Sequence, residues 1–274
     1  MNAADAGRLI VCPTPIGNLE DVTLRVLAAL READVVACED TRRTRTLLDR
    51  YGVDATLVSY HEHNEEARAG ELVERMRGGA TVALVSDAGM PLVSDPGYVL
   101  VRGCIGAGLP VEVLPGPSAA LAALVASGLP AEHWRFEGFL PRKQAALERE
   151  LSAPGSTLVA FESPKRVART LAALAELDPE REVAVCRELT KLHEEIVRGS
   201  AGELAGRYAD EEVRGEIVLV VAAPAAAASR PDEAAVAAVR KLVDAGARPR
   251  VAAGVVAELT GASTNALYAA LTQD

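Results

Sequence analysis

The chain has 274 residues and a formal net charge of -10, with 49% hydrophobic, 25% charged and only 3% aromatic residues. That composition excludes general disorder and supplies ample apolar material for a core, so length suggests about two domains packed mainly by Val, Leu and Ala. No apolar run is long enough to span a bilayer, no basic-then-apolar leader opens the sequence, and the acidic balance leaves only local basic faces for nucleic-acid phosphates.

Residues 8–12 form a short apolar run, read as a buried strand. Residues 19–33 follow as a helix with Val22, Val26 and Leu30 at helical spacing, and Asn18 is placed to cap it. Strands at 35–38, 56–59, 81–85 and 111–114 then alternate with helices at 41–51, 65–77, about 96–107 and 117–126. Alternation of this kind predicts α/β layers around a largely parallel sheet. A boundary near Pro115-Gly116 separates a first domain, 1–115, from a second, 116–222. The second domain reads as strands at 134–140, 157–161, 183–187, 195–198 and 216–221, close enough near the end to suggest antiparallel pairing. Its helices fall at 143–151, 165–177 and 201–208. Residues 223–231, APAAAASRP, read as a linker. Beyond it, 232–274 is a small helical module of helix-turn-helix type. Its apolar faces are Val236, Val239 and Val243, then Val251, Val255 and Leu259, then Leu267, Tyr268 and Leu271.

The strand ends carry the polar residues. Residues 84–97, LVSDAGMPLVSDPG, place two small acidic turns in tandem after one strand, where open α/β sheets bind ligands. PTPIGN at 13–18 and LPGPSA at 114–119 end two further strands, and neither matches a dinucleotide fingerprint or a Walker loop. CEDTRRT at 38–44 packs Glu39, Asp40, Arg42 and Arg43 at a strand mouth, where Asp40 reads either as a helix cap or as part of a polar site. YHEHNE at 60–65 lacks the helical spacing of a metal pair, and Cys12, Cys38, Cys104 and Cys186 are scattered. The expectation is no metal, and reduced thiols in a cytoplasmic protein. Lys191 is a base if burial lowers its pKa, or else a partner of Glu188 or Glu194.

In this order, PTPIGNLEDVTLR, CEDTRRTRTLL, SYHEHNE, LVSDAGMPLVSDPG, LPGPSA, FEGFLPRK, FESPKR and CRELTKLHEE resemble the ribosomal RNA small-subunit methyltransferase I family. This family belongs to the tetrapyrrole-methylase-like class, and Met90 departs from its pattern, where a small hydroxyl residue is usual. The resemblance implies two α/β domains of tetrapyrrole-methylase type, usually dimeric, with S-adenosyl-L-methionine in the inter-domain cleft. It implies 2'-O-methylation of a decoding-region cytidine of 16S rRNA in the assembled 30S subunit. Carried onto this chain, cofactor contacts fall on Pro15, Ile16, Asp87, Ala88, Gly89, Met90, Val93, Ser118, Ala119, Phe161, Glu162 and Thr190. The tandem turns would then keep side-chain bulk away from the cofactor. A ribose hydroxyl is a weak nucleophile and benefits from a base, for which Asp40, Glu39 and then Lys191 are candidates. Arg42, Arg43, His61, Asn64, Lys165 and Arg166 are candidates for RNA contact. A precorrin-type methyltransferase and a non-catalytic ribosome assembly factor are the rival readings.

Overall fold

The computed structural model describes residues 7–224, 233–260, 262 and 264–271, so most of the expected linker lies outside the described residues. The first domain is a five-stranded sheet in the order β3-β2-β4-β1-β5, every pair parallel. Its strands are β1 (Arg8–Cys12), β2 (Val35–Cys38), β3 (Leu57–Ser59), β4 (Thr81–Val85) and β5 (Val111–Val113). β1, β2 and β4 are apolar nearly throughout because both faces are covered. Leu9, Val11, Val35, Ala37, Val82 and Leu84 pack against α3 (Glu65–Arg77) and α4 (Tyr98–Gly106). Ile10, Cys12, Val36, Cys38, Ala83 and Val85 face the other way, against α1 (Leu24–Glu32) and α2 (Thr41–Arg50). The chain leaves β1 onto one face and the adjacent β4 onto the opposite face. Their C-terminal ends therefore form a topological switch point, with a crevice between the diverging loops.

The second sheet has the order β6-β7-β10-β8-β9. Its strands are β6 (Trp134–Phe139), β7 (Thr157–Glu162), β8 (Glu182–Arg187), β9 (Glu195–Ser200) and β10 (Ile217–Val221). Only β6 and β7 run parallel; the remaining pairs are antiparallel, as the crowding of strands predicts. One face is covered by α6 (Gln144–Leu151), α7 (Val167–Leu177) and α8 (Ala201–Tyr208). The other face receives α5 (Ala119–Ser127), together with Ile16 from the first domain. One helix cannot cover five strands, and part of this face stays open towards the first domain.

Two helical expectations need correction. Residues 19–33 are not one helix: Asn18 caps a single 3-10 turn, Leu19–Asp21, by accepting from the Glu20 N–H. The Thr23 hydroxyl then accepts from the Val26 N–H and starts α1. A second N-cap residue inside the periodic stretch restarts the helix there. The module does form three helices, α9 (Glu233–Asp244), α10 (Pro249–Thr260) and α11 (Thr264–Leu271). Its core on α10 is Ala252, Ala253 and Val256, while Val251, Val255 and Leu259 face outward. The small residues permit closer approach of α9, and the bulky stripe points away.

Candidate active site between the domains

The loops after β1 and β4 are stapled to one another. Thr14 and Gly89 exchange two backbone hydrogen bonds of 2.9 Å. The Thr14 hydroxyl donates to the Ser86 carbonyl at 3.0 Å, and the Ser86 hydroxyl to the Gly89 carbonyl at 3.1 Å. Gly89 takes φ +79°, which side chains rarely adopt, and a Cβ there would lie 3.4 Å from Ile16. The first of the tandem turns is thus a backbone surface with no side chain at its crest.

That surface borders a cleft of about 430 Å³ between the two domains. Of the predicted cofactor contacts, Ile16, Ala88, Gly89, Met90, Val93, Ser118, Ala119, Phe161 and Glu162 line it. Ser118 caps α5 by accepting from the Leu121 N–H, so the N-terminus of α5 opens beside the cleft. The four non-glycine residues of positive φ among the described residues lie in two loops beside it. They are Leu92 (72°) and Ser94 (66°) on one side, Glu188 (51°) and Thr190 (66°) on the other. Backbone strain of this kind persists only where surrounding contacts hold it, and it concentrates at functional sites.

Three predicted contacts are used otherwise. Pro15 is buried beneath the loop and does not line the cleft. Asp87 turns away towards α2, accepting from the Asp40 N–H at 2.9 Å and lying 3.5 Å from Arg43. Thr190 crosses between domains, its hydroxyl accepting from the Asn18 N–H at 3.1 Å. Glu162 lines the cleft, but its carboxylate is occupied by the Ser163 N–H at 2.7 Å, Thr170 at 2.6 Å and Arg166 at 3.1 Å. Arg166 also donates to the Leu140 and Pro141 carbonyls. It is a strut rather than a free phosphate ligand.

The candidate bases separate by environment. Asp40 caps α2 and holds Arg42 through both carboxylate oxygens, at 3.1 and 2.7 Å. Those hydrogen bonds hold it down to about 2, which disfavours it as a proton acceptor. Lys191 bridges Glu188 at 2.8 Å and Glu216 at 2.9 Å. Burial works to lower its pKa, but the two carboxylates prevail and raise it, so it stays charged. Glu39 is raised, first by burial and then by Asp87, against the opposing pull of Arg43 and His61. Asp95 was not anticipated from sequence. It lines the cleft, and burial, followed by the charges of Glu39 and Asp87, pushes it up to about 6 despite a hydrogen bond with Ser86. An Asp-Pro-Gly turn reads as punctuation, and its depth in the fold has no sequence signal.

The basic candidates also divide. Arg42 and Arg43 are exposed but face Asp40 and Asp87, whereas Lys165 is exposed without an ion pair among the described residues. Asn64 closes the turn after β3, accepting from the His61 N–H and donating to the Ser59 carbonyl and towards the His61 ring. It is a turn residue, and it fixes His61. Sequence reasoning also missed the second domain's wall: Phe139, Ser163, Pro164, Cys186, Leu189 and residues 215–218. Most of these lie on or beside strands, where an apolar residue reads as core. Cys186 hydrogen-bonds the Ala123 carbonyl, and burial pushes its thiol up to about 11, which removes it as a nucleophile.

Residues 8–205 match the model of the tetrapyrrole (corrin/porphyrin) methylases. A ribosomal RNA small subunit methyltransferase I of Micromonospora olivasterospora is 46% identical over 97% of this chain and 86% of its own length. A protein of the same name from Thermotoga maritima is 45% identical, spanning 78% of this chain but 98% of its own. The solved structure of Thermus thermophilus uroporphyrin-III C-methyltransferase with S-adenosylhomocysteine aligns with a TM-score of 0.56 at 24% identity. It covers 79% of this chain and 97% of that one, which establishes a shared fold.

Proposed function

We infer, because the chain belongs to the ribosomal RNA small subunit methyltransferase I family, that it uses S-adenosyl-L-methionine to methylate small-subunit ribosomal RNA. The observation that carries this reading is the cleft, whose volume of about 430 Å³ suits a ligand of that size. Its lining fits as well: a crest at Gly89 free of side-chain bulk, the start of α5 at Ser118 and Ala119, and apolar walls at Ile16, Val93 and Phe161. The cofactor supplies an already activated sulfonium methyl. The protein's task is to align the acceptor with it and to take a proton.

The acceptor is the 2'-hydroxyl of a decoding-region cytidine in 16S rRNA, presented by the assembled 30S subunit. Asp95 holds the proton-accepting position, with Glu39 behind it keeping its affinity for protons high. A chain of net charge -10 docks through local cations, and Lys165, Arg42 and Arg43 serve here. The enzyme works in the cytoplasm as a homodimer; the exposed face of α5, with Leu121 and Val125, is the surface for pairing. No described helix is long and apolar enough to cross a membrane.

The deciding experiment is transfer of labelled methyl from S-adenosyl-L-methionine to unmodified 30S subunits, with the modified nucleotide mapped. Label at one cytidine 2'-oxygen is the expected result. Label on a base, or on another subunit component, would overturn the assignment.

A further inference from the structure

The chain contains three phenylalanines, and all three gather at the second domain's wall. Phe136 and Phe139 each meet Phe161 edge to face, with centroids 5.0 and 5.6 Å apart. A regular strand would send residues 136 and 139 to opposite faces. The pairing of β6 with β7 breaks between them: Phe136 opposes Val159 and Phe139 opposes Phe161, so three steps on β6 match two on β7. The extra residue in this bulge turns both rings to the same side. Gly138 makes it possible with φ +59°, and a Cβ there would sit 3.1 Å from the Ser94 hydroxyl of the first domain. The bulge therefore lies close against the opposite wall, with little room there for a side chain.

Phe136 and Phe161 are half-buried, but Phe139 is 64% exposed while lining the cleft. Two turns at this same end of the sheet carry Arg142 and Lys143 after β6, and Lys165 after β7. All three cations are exposed, and none has an ion pair among the described residues. In an acidic chain that combination, a flat apolar ring beside unpaired cations, matches a nucleotide, whose base stacks while its phosphates seek positive charge.

We propose that Phe139 is the stacking platform for the base of the target nucleotide, with Arg142, Lys143 and Lys165 holding the flanking phosphates. The proposal rests on the RNA-methylating reading above. A ribose hydroxyl reaches the cleft only if its nucleotide leaves its neighbours, and the exposed ring replaces the stacking that is lost.

The test compares Phe139→Leu and Phe139→Trp with wild type in the full-length protein, using unmodified 30S subunits. Methyl transfer is followed against subunit concentration, cofactor affinity by calorimetry and oligomeric state by sedimentation. Loss of one stacked base predicts a fall in kcat/KM for subunits of about tenfold or more in Phe139→Leu. Cofactor affinity should stay within about twofold, and Phe139→Trp should keep most of the activity because every base has a face to stack. Undiminished kcat/KM in Phe139→Leu would overturn the proposal. So would a parallel loss of cofactor affinity, which assigns the ring to the cofactor, or dissociation of a dimer, which assigns it to a second copy. If Phe139→Trp is as impaired as Phe139→Leu, shape rather than stacking matters and the platform is wrong. Wild-type enzyme that leaves subunits unmethylated would instead remove the reading beneath the proposal.

Discussion

The first domain meets the cleft with the ends of parallel strands; the second meets it with the face of a sheet. On the first side the small residues of the strand-end loop, Ala88, Gly89 and Ser94, present backbone between the side chains of Ile16, Met90, Val93 and Asp95. On the second the lining is side chains that also belong to a core: Phe161, Cys186, Leu189, Val218. A backbone wall can be altered at a cost in binding with little loss of packing. A wall made of core residues and buried polar struts cannot change without loosening the domain behind it. The difference predicts that mutations on the two sides separate into binding defects and stability defects.

The largest effect is expected on the second side. Arg166→Ala leaves the fully buried Glu162 carboxylate with only Thr170 and the Ser163 N–H, and frees two carbonyls at the end of β6. Removing one partner of a buried pair should lower stability by about 3 kcal/mol, read by denaturant unfolding. A midpoint unchanged from wild type would mean that Glu162 does not depend on this strut.

On the first side, Gly89→Leu puts a branched side chain at φ +79°, against Ile16 and over the crest. Backbone strain costs about 1–2 kcal/mol of stability. Cofactor affinity should fall by about 100-fold, or ~2.7 kcal/mol, because the leucine side chain enters the cleft proposed to hold the cofactor. If calorimetry finds binding intact, the crest is not a ligand surface and the contrast between the walls fails.

That contrast also explains what the sequence makes legible. Alternating apolar runs and the tandem turns announce the first sheet and its loops, because Gly, Pro and Asp at strand ends have local backbone reasons to be there. Nine of the predicted cofactor contacts line the cleft, and all but Phe161 and Glu162 belong to such loops or to the start of α5. The second wall is silent in the sequence: Cys186 and Val218 are indistinguishable from core until the position of α5 is known. Phe139 is hidden for another reason, since a bulge changes which face a residue occupies and strand periodicity cannot foresee it. Asp40 caps α2 and is held down by its hydrogen bonds to Arg42, while Asp95 sits in a turn and is pushed up by burial; the depth of Asp95 is a property of the fold that its turn does not announce.

A smaller effect tests the acid. Asp95 is raised to about 6 from an ordinary value near 3.9, so the folded state binds its proton more tightly than the unfolded state. Stability from this group is complete below about pH 4 and is lost as pH rises through about 6. Asp95→Asn should therefore be more stable than wild type at pH 7, by about 1 kcal/mol after allowing for solvent screening, with the gain vanishing below about pH 4. Methyl transfer by the wild type should fall as pH drops through about 6, and the variant should be nearly inactive despite its stability. Equal stability of the two proteins at both pH values would show that the carboxyl carries no strain. An active variant would move the base to Glu39.

The smallest effect concerns the module, which stands to the two-domain body as an accessory to a shared core. The match to the tetrapyrrole methylase model ends at residue 205, before these helices. The module has its own small core around Val239, Ala253, Val256 and Leu267, and α10 exposes Val251, Val255 and Leu259 one turn apart along one side. A chain ended after Pro224 keeps the Ala222 carbonyl, which accepts from the Arg181 guanidinium at 2.7 Å, so the end of the strand is undisturbed. Cofactor affinity and unfolding midpoint should match the full-length protein. Methylation of 30S subunits should fall several-fold at subsaturating concentration and recover at saturation, because a tethered second contact raises local concentration without touching the chemistry. Equal rates at subsaturating concentration would confine docking to the body, and a loss that persists at saturation would place the module in the catalytic step.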